Sequence, residues 1–127
     1  MFSAIAICLG ASTGALARWG LGLWLSPSYA LIPWGTLAAN LGGGYLIGIS
    51  ISVIQAMPQL DPVWRLALVT GFLGGLTTFS SFSAEVVTML LQQRYALALG
   101  TIGLHVAGSL SLTVAGIWSA NHWLTPA

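Results

Sequence analysis

The chain has 127 residues, of which 57% are hydrophobic and 4% charged, with a mean hydropathy of +0.91, whereas a water-soluble domain carries roughly 25% charged residues. Arg18, Arg65, Arg94, Asp61 and Glu85 are its fixed charges, which excludes a water-soluble fold, a disordered chain and a basic face for nucleic acid. Cys8 has no second cysteine to pair with, so disulfides and cysteine metal clusters are excluded too, leaving an all-α integral membrane protein of one domain and few spans.

A helix needs roughly 20 apolar residues to cross about 30 Å of hydrocarbon, and the sequence predicts four such spans. The first covers 2–25 and stops at Ser26-Pro27-Ser28. With no basic leader before it and no soluble part after it, it reads as a span and not as a signal peptide. Arg18 falls near its end, where a long side chain either snorkels to the interface or holds neighbouring carbonyls, so a structural anchoring role is expected. The second span covers 32–57 and ends at Met57-Pro58-Gln59-Leu60-Asp61-Pro62. It carries Asn40 in mid-membrane, where an amide must find partners, either across a helix interface or as a donor to an anion.

The third span, 63–93, holds about 31 residues and would be roughly 46 Å long as a continuous helix, too long for the core. Its middle combines Gly74-Gly75, Thr77-Thr78 and Ser80-Ser81, residues that hold a helix poorly. A break is expected within 74–78, lining a site because irregular backbone in a membrane must be satisfied by protein or water. A kinked but intact helix with a small-residue packing face is the alternative. Beyond the break, Phe79 and Phe82 share a face with Ser80 between them, either as packing residues or as rings whose positive edges meet an anion. Glu85 is the one acid inside a span, a position that marks a functional site or a vestibule. The fourth span, 95–123, places Thr101, His105, Ser109 and Thr113 at intervals of four, on one ridge. This ridge faces an interface or a wet groove, unless its hydroxyls bond back to the preceding turn. Gly10 and Gly14, Gly44 and Gly48, and Gly71 and Gly75 are each four apart, which argues for closely packed helices.

Four spans put both termini and the 57–62 loop on one side of the membrane. Arg65 and the amino terminus then lie on that side, and Arg18 and Arg94 on the other, leaving the positive-inside rule almost no bias. Such a chain is expected to insert in both orientations and to pair as an antiparallel homodimer. No nucleophile, base and orienter come together, and no phosphate-binding loop is present, so the chain is expected to be neither an enzyme nor an ATP-driven pump. Passive permeation or secondary transport remains. Neutral donors and ring edges suit a small hydrated anion, while carbonyls at a helix break suit a small cation such as sodium.

Three segments together resemble the Fluc, or CrcB, family of bacterial fluoride channels. They are Gly10-Ala11-Ser12-Thr13-Gly14-Ala15-Leu16-Ala17-Arg18-Trp19, the run from Gly35-Thr36-Leu37-x-x-Asn40 to Gly48, and Gly71-x-x-Gly74-Gly75-x-Thr77-Thr78-Phe79-Ser80-x-Phe82. The resemblance implies a passive fluoride-selective channel in the bacterial inner membrane, an antiparallel homodimer with two pores that exports fluoride from the cytoplasm. It implies that Asn40, Phe79, Ser80 and Phe82 line the fluoride path, with Ser109 and Thr113 on a polar track. Gly74 and Thr77 would offer backbone carbonyls to a central structural sodium ion, Glu85 would stand at a vestibule, and His105 would occupy the track where a small hydroxyl is expected. A proton-coupled small multidrug exporter of dual topology, or a non-conducting membrane assembly protein, is the competing reading. The first span, however, has no carboxylate to hold a cationic drug.

Overall fold

The computed structural model describes residues 2–124, which fold as helices joined by short turns. Helix α1 is Phe2–Leu25 and α2 is Trp34–Ala56. Helix α3 runs over residues 62–76: one turn, Pro62–Arg65, then a π-helical stretch, Leu66–Leu73, then Gly74–Leu76. Helix α4 is Phe79–Leu91 and α5 is Tyr95–Leu124. Among the described residues, four segments are long and apolar enough to cross a membrane, the third being α3 and α4 together, Pro62–Leu91. This is the architecture of a multi-pass membrane protein with a bent third span.

The helix ends have local causes. Helix α2 starts at Trp34 and not at 32 because Pro33 sets its first turn, and the Ser26 hydroxyl at the far end of the loop accepts from the Gly35 N–H at 2.7 Å. Asp61 caps α3, accepting from the Val63 N–H at 3.0 Å with Pro62 at the first helical position, where a missing N–H costs nothing. Helix α4 stops at Leu91, two residues before the expected 93. There Gln93 turns left-handed with φ 61°, and the Arg94 N–H reaches back to the Met89 carbonyl at 2.9 Å, a Schellman closure. Within α3 the Gly74 N–H reaches the Val69 carbonyl, five residues back, which widens the turn.

Two helix pairs carry most of the packing, α2 against α5 and α1 against α3. Both seams are built on glycine. A Cβ at Gly14 would run into the Phe72 carbonyl and lie 2.7 Å from the Leu76 nitrogen, and one at Gly75 would strike the Ala11 carbonyl. On the other seam, a Cβ at Gly48 would strike the Thr113 carbonyl and one at Gly116 the Tyr45 carbonyl. Backbone meets backbone here, the purpose of small residues where lipid offers no hydrophobic drive to association. Helix α4 rests on α5 through Phe82, Val86, Met89 and Ala98, and Ala39, Leu73 and Leu76 form a second cluster beside the break.

Candidate ion site at the helix break

The helical path is lost at two residues. Thr77 (φ −87°, ψ 152°) and Thr78 (φ −151°, ψ 116°) are extended, so α3 ends and α4 begins in mid-span, at the late end of the expected 74–78 window. The chain restarts because Thr78 caps α4, its Oγ1 accepting from the Ser81 N–H at 3.1 Å, as hydroxyl caps do. The Thr78 peptide is clamped from across the bundle. Its N–H donates to Asn40 Oδ1 at 2.8 Å, and its carbonyl accepts from Asn40 Nδ2 at 3.0 Å. An exposed peptide in hydrocarbon would cost several kcal/mol, and one side-chain amide removes that cost on both atoms.

Beside the clamp opens a cavity of about 440 Å³, lined among others by Asn40, Gly74, Thr77, Thr78, Phe79, Phe82, His105 and Ser109. None of its lining residues carries a fixed charge. His105 is 5% exposed, with its Nδ1 3.0 Å from Asn40 Nδ2 and its ring tilted against Phe82 with centroids 4.3 Å apart. Phe79 meets Phe82 edge-on at 5.6 Å, yet Phe79 is 78% exposed and Phe82 only 8%. Ser80, expected on the fluoride path, and Thr113, expected on the polar track, are not among the lining residues of this cavity. Ser80 keeps its hydroxyl 3.2 Å from Thr78 Oγ1, and Thr113 shares its hydroxyl hydrogen between the Gly44 and Ser109 carbonyls, each at 2.9 Å. Thr101, on the same ridge, is fully buried and bonds back to the Leu97 carbonyl at 2.8 Å.

Glu85 lies elsewhere. Its Oε2 accepts from the Thr36 hydroxyl at 2.7 Å, its Oε1 is buried without a partner among the described residues, and it lines a separate recess of about 320 Å³ together with Gln92 and Arg94. Arg18 crosses from α1 to α3, its Nε donating to the Gly75 carbonyl at 3.1 Å. That bond occupies one of the carbonyls at the end of α3.

The break also leaves oxygen atoms of the kind a hard cation takes. In an unbroken helix the Thr78 N–H would donate to Gly74 and the Ser81 N–H to Thr77, but these donors go to Asn40 and to the Thr78 hydroxyl. The break leaves the carbonyls of residues 74–77 without their helical donors; Arg18 takes the one at Gly75, and of the others those of Gly74 and Thr77 belong to residues that line the cavity. Backbone carbonyls at the end of a half-helix are a fitting donor set for sodium. Neither Thr78's cap nor its clamp was anticipated from sequence, although a threonine opening a helical run is a legible cap signal.

Comparison with known proteins follows the same residues. A family model described as CrcB-like protein, Camphor Resistance (CrcB), matches residues 5–117. The chain is 74% identical over 121 residues to a protein of Albidiferax ferrireducens named fluoride-specific ion channel FluC, covering 95% of this chain and 92% of the relative. A protein of the same name from Paracidovorax citrulli is 65% identical over 118 residues, 93% of each chain, and one from Burkholderia cenocepacia is 49% identical over 126 residues, 99% of this chain and 98% of the relative. The matched region takes in the first-span glycines, Asn40, the whole break and the ridge of α5, and on that evidence the chain belongs to the CrcB family.

Proposed function

We propose that this chain is a passive, fluoride-selective channel that lets fluoride leave the cytoplasm, acting in the bacterial inner membrane as an antiparallel homodimer with two pores. The observation that carries the reading is the cavity at the helix break, where an amide, an imidazole, hydroxyls and two phenyl rings gather with no fixed charge. Fluoride is small and strongly hydrated. Neutral donors and ring edges replace part of its shell without holding it so tightly that it cannot leave. The name carried by relatives at 49% to 74% identity supports fluoride as the ion.

The exposed ring of Phe79 supports a second copy, whose surface would complete the wall that one chain leaves open. Sodium at the twofold axis, held by the Gly74 and Thr77 carbonyls of both copies, would supply the positive charge that keeps these oxygens together. Glu85, in its own recess with Arg94, suits a vestibule role.

The test is efflux from liposomes loaded with fluoride or chloride and containing the purified protein, followed with ion-selective electrodes and with a potassium ionophore to balance charge. The expected result is rapid fluoride loss with no proton gradient imposed and no loss of chloride. No fluoride loss, or equal loss of both ions, overturns the reading.

A further inference from the structure

Asn40 has no hydrogen left to give to an ion. Its two bonds to the Thr78 peptide fix which way the amide faces, since an N–H must meet Oδ1 and a carbonyl must meet Nδ2. One Nδ2 hydrogen is therefore committed to Thr78. The other can only be directed at His105 Nδ1, 3.0 Å away. An amide nitrogen has no lone pair to offer, so Nδ1 must be the acceptor and the imidazole must carry its hydrogen on Nε2. That Nε2 is buried and has no partner among the described residues, in a residue that lines the cavity. Leaving a buried N–H without an acceptor forfeits its hydration with nothing in return, so an acceptor is expected there.

We propose that Asn40 locks His105 in the neutral Nε2–H tautomer and that this N–H is an anion-binding donor of the cavity. The amide thus acts at one remove: it spends its own hydrogens on the helix break and on His105, and the imidazole presents the hydrogen that reaches the ion. The stack on Phe82 sets the plane of the ring, so the direction of the N–H is fixed by packing on one side and by Asn40 on the other. The inference rests on the fluoride reading only for the identity of the anion.

Two measurements separate the lock from the transport role. In protein carrying His122→Gln, so that one histidine remains, 15N spectra of labelled histidine at neutral pH should show Nε2 protonated and Nδ1 bare. A protonated Nδ1, in the opposite tautomer or in a cationic ring, overturns the lock whether or not the protein conducts. In liposomes, His105→Phe keeps the stacked ring and removes the donor, and fluoride flux should fall roughly tenfold or more, the scale of one hydrogen bond to an ion. His105→Gln, whose amide N–H falls close to the place of Nε2–H, should recover most of the flux. Wild-type flux in His105→Phe overturns the donor role, and so does an equal loss in both variants when both elute from a sizing column as the wild type does. Absence of flux in the unmodified protein would instead sink the channel reading, with the tautomer still decided by the spectra.

Discussion

Phe79 and Phe82 are three positions apart and touch edge to face, yet their surroundings in the chain differ completely. Phe82 is buried against Val86, Met89 and Ala98, while Phe79 stands out from α4. Replacing either with isoleucine keeps bulk but removes the ring quadrupole, so both variants should lose most fluoride flux if the rings meet the ion through their edges. Their stabilities should diverge. Phe82→Ile should cost about 1–2 kcal/mol from lost core packing within the chain, whereas Phe79→Ile removes little packing within the chain and any cost should appear in the association of the two copies. Denaturation in detergent, read beside liposome flux, checks both; unchanged flux in the two variants removes the rings from the path. The residue types of this site were legible in the sequence: a mid-span amide, paired phenylalanines, a polar ridge. Their pairings were not. Asn40, Thr78 and His105 are 38 and 27 positions apart, and nothing in their spacing says that one amide would bond both sides of one peptide and then the imidazole.

At the scale of the elements, the broken span was readable because an over-long apolar run with Gly74-Gly75 and Thr77-Thr78 at its centre has too little helix-holding chemistry to continue. The π-helical stretch at Leu66–Leu73 was not. Its residues, Leu-Ala-Leu-Val-Thr-Gly-Phe-Leu, look like any apolar helix. The glycine seams lie between these extremes: the spacing of four foretold close approach, but only the fold shows Gly10 and Gly14 meeting α3 while Gly44 and Gly48 meet α5. A direct contrast follows. Gly14→Ala drives a methyl group into the Phe72 carbonyl, which cannot retreat without moving α3, and should destabilise the chain by about 1–3 kcal/mol. Gly20→Ala, six residues along the same helix with nothing within 4 Å of its new Cβ, should change stability by less than about 0.5 kcal/mol. Equal effects of the two substitutions in a thermal melt would mean that the α1–α3 seam is looser than its backbone contacts indicate.

For the whole molecule the decisive quantity is the near-absence of charge. Alternating spans place Arg65 with the chain ends and the 57–61 turn on one face, and Arg18 and Arg94 with the other two turns on the opposite face. Orientation in the membrane follows the Lys and Arg bias of short loops, and here the two sides nearly cancel. A population inserted both ways is the expected outcome, and it is what an antiparallel homodimer with its axis in the membrane plane requires. Reporters fused to the carboxyl terminus, one active only in the cytoplasm and one only outside it, should therefore both give signal from the same chain. Gln55→Lys with Gln59→Lys adds two positive charges beside Arg65, at exposed positions clear of the helix break. The doubly substituted chain should insert almost entirely with that face in the cytoplasm, silencing the outside reporter. Alone it should then conduct little fluoride, because partners of the opposite orientation are gone. Co-expression with a chain biased the other way should restore flux, which separates lost topology from lost folding. Full flux from a population shown by both reporters to face one way would overturn the antiparallel assembly.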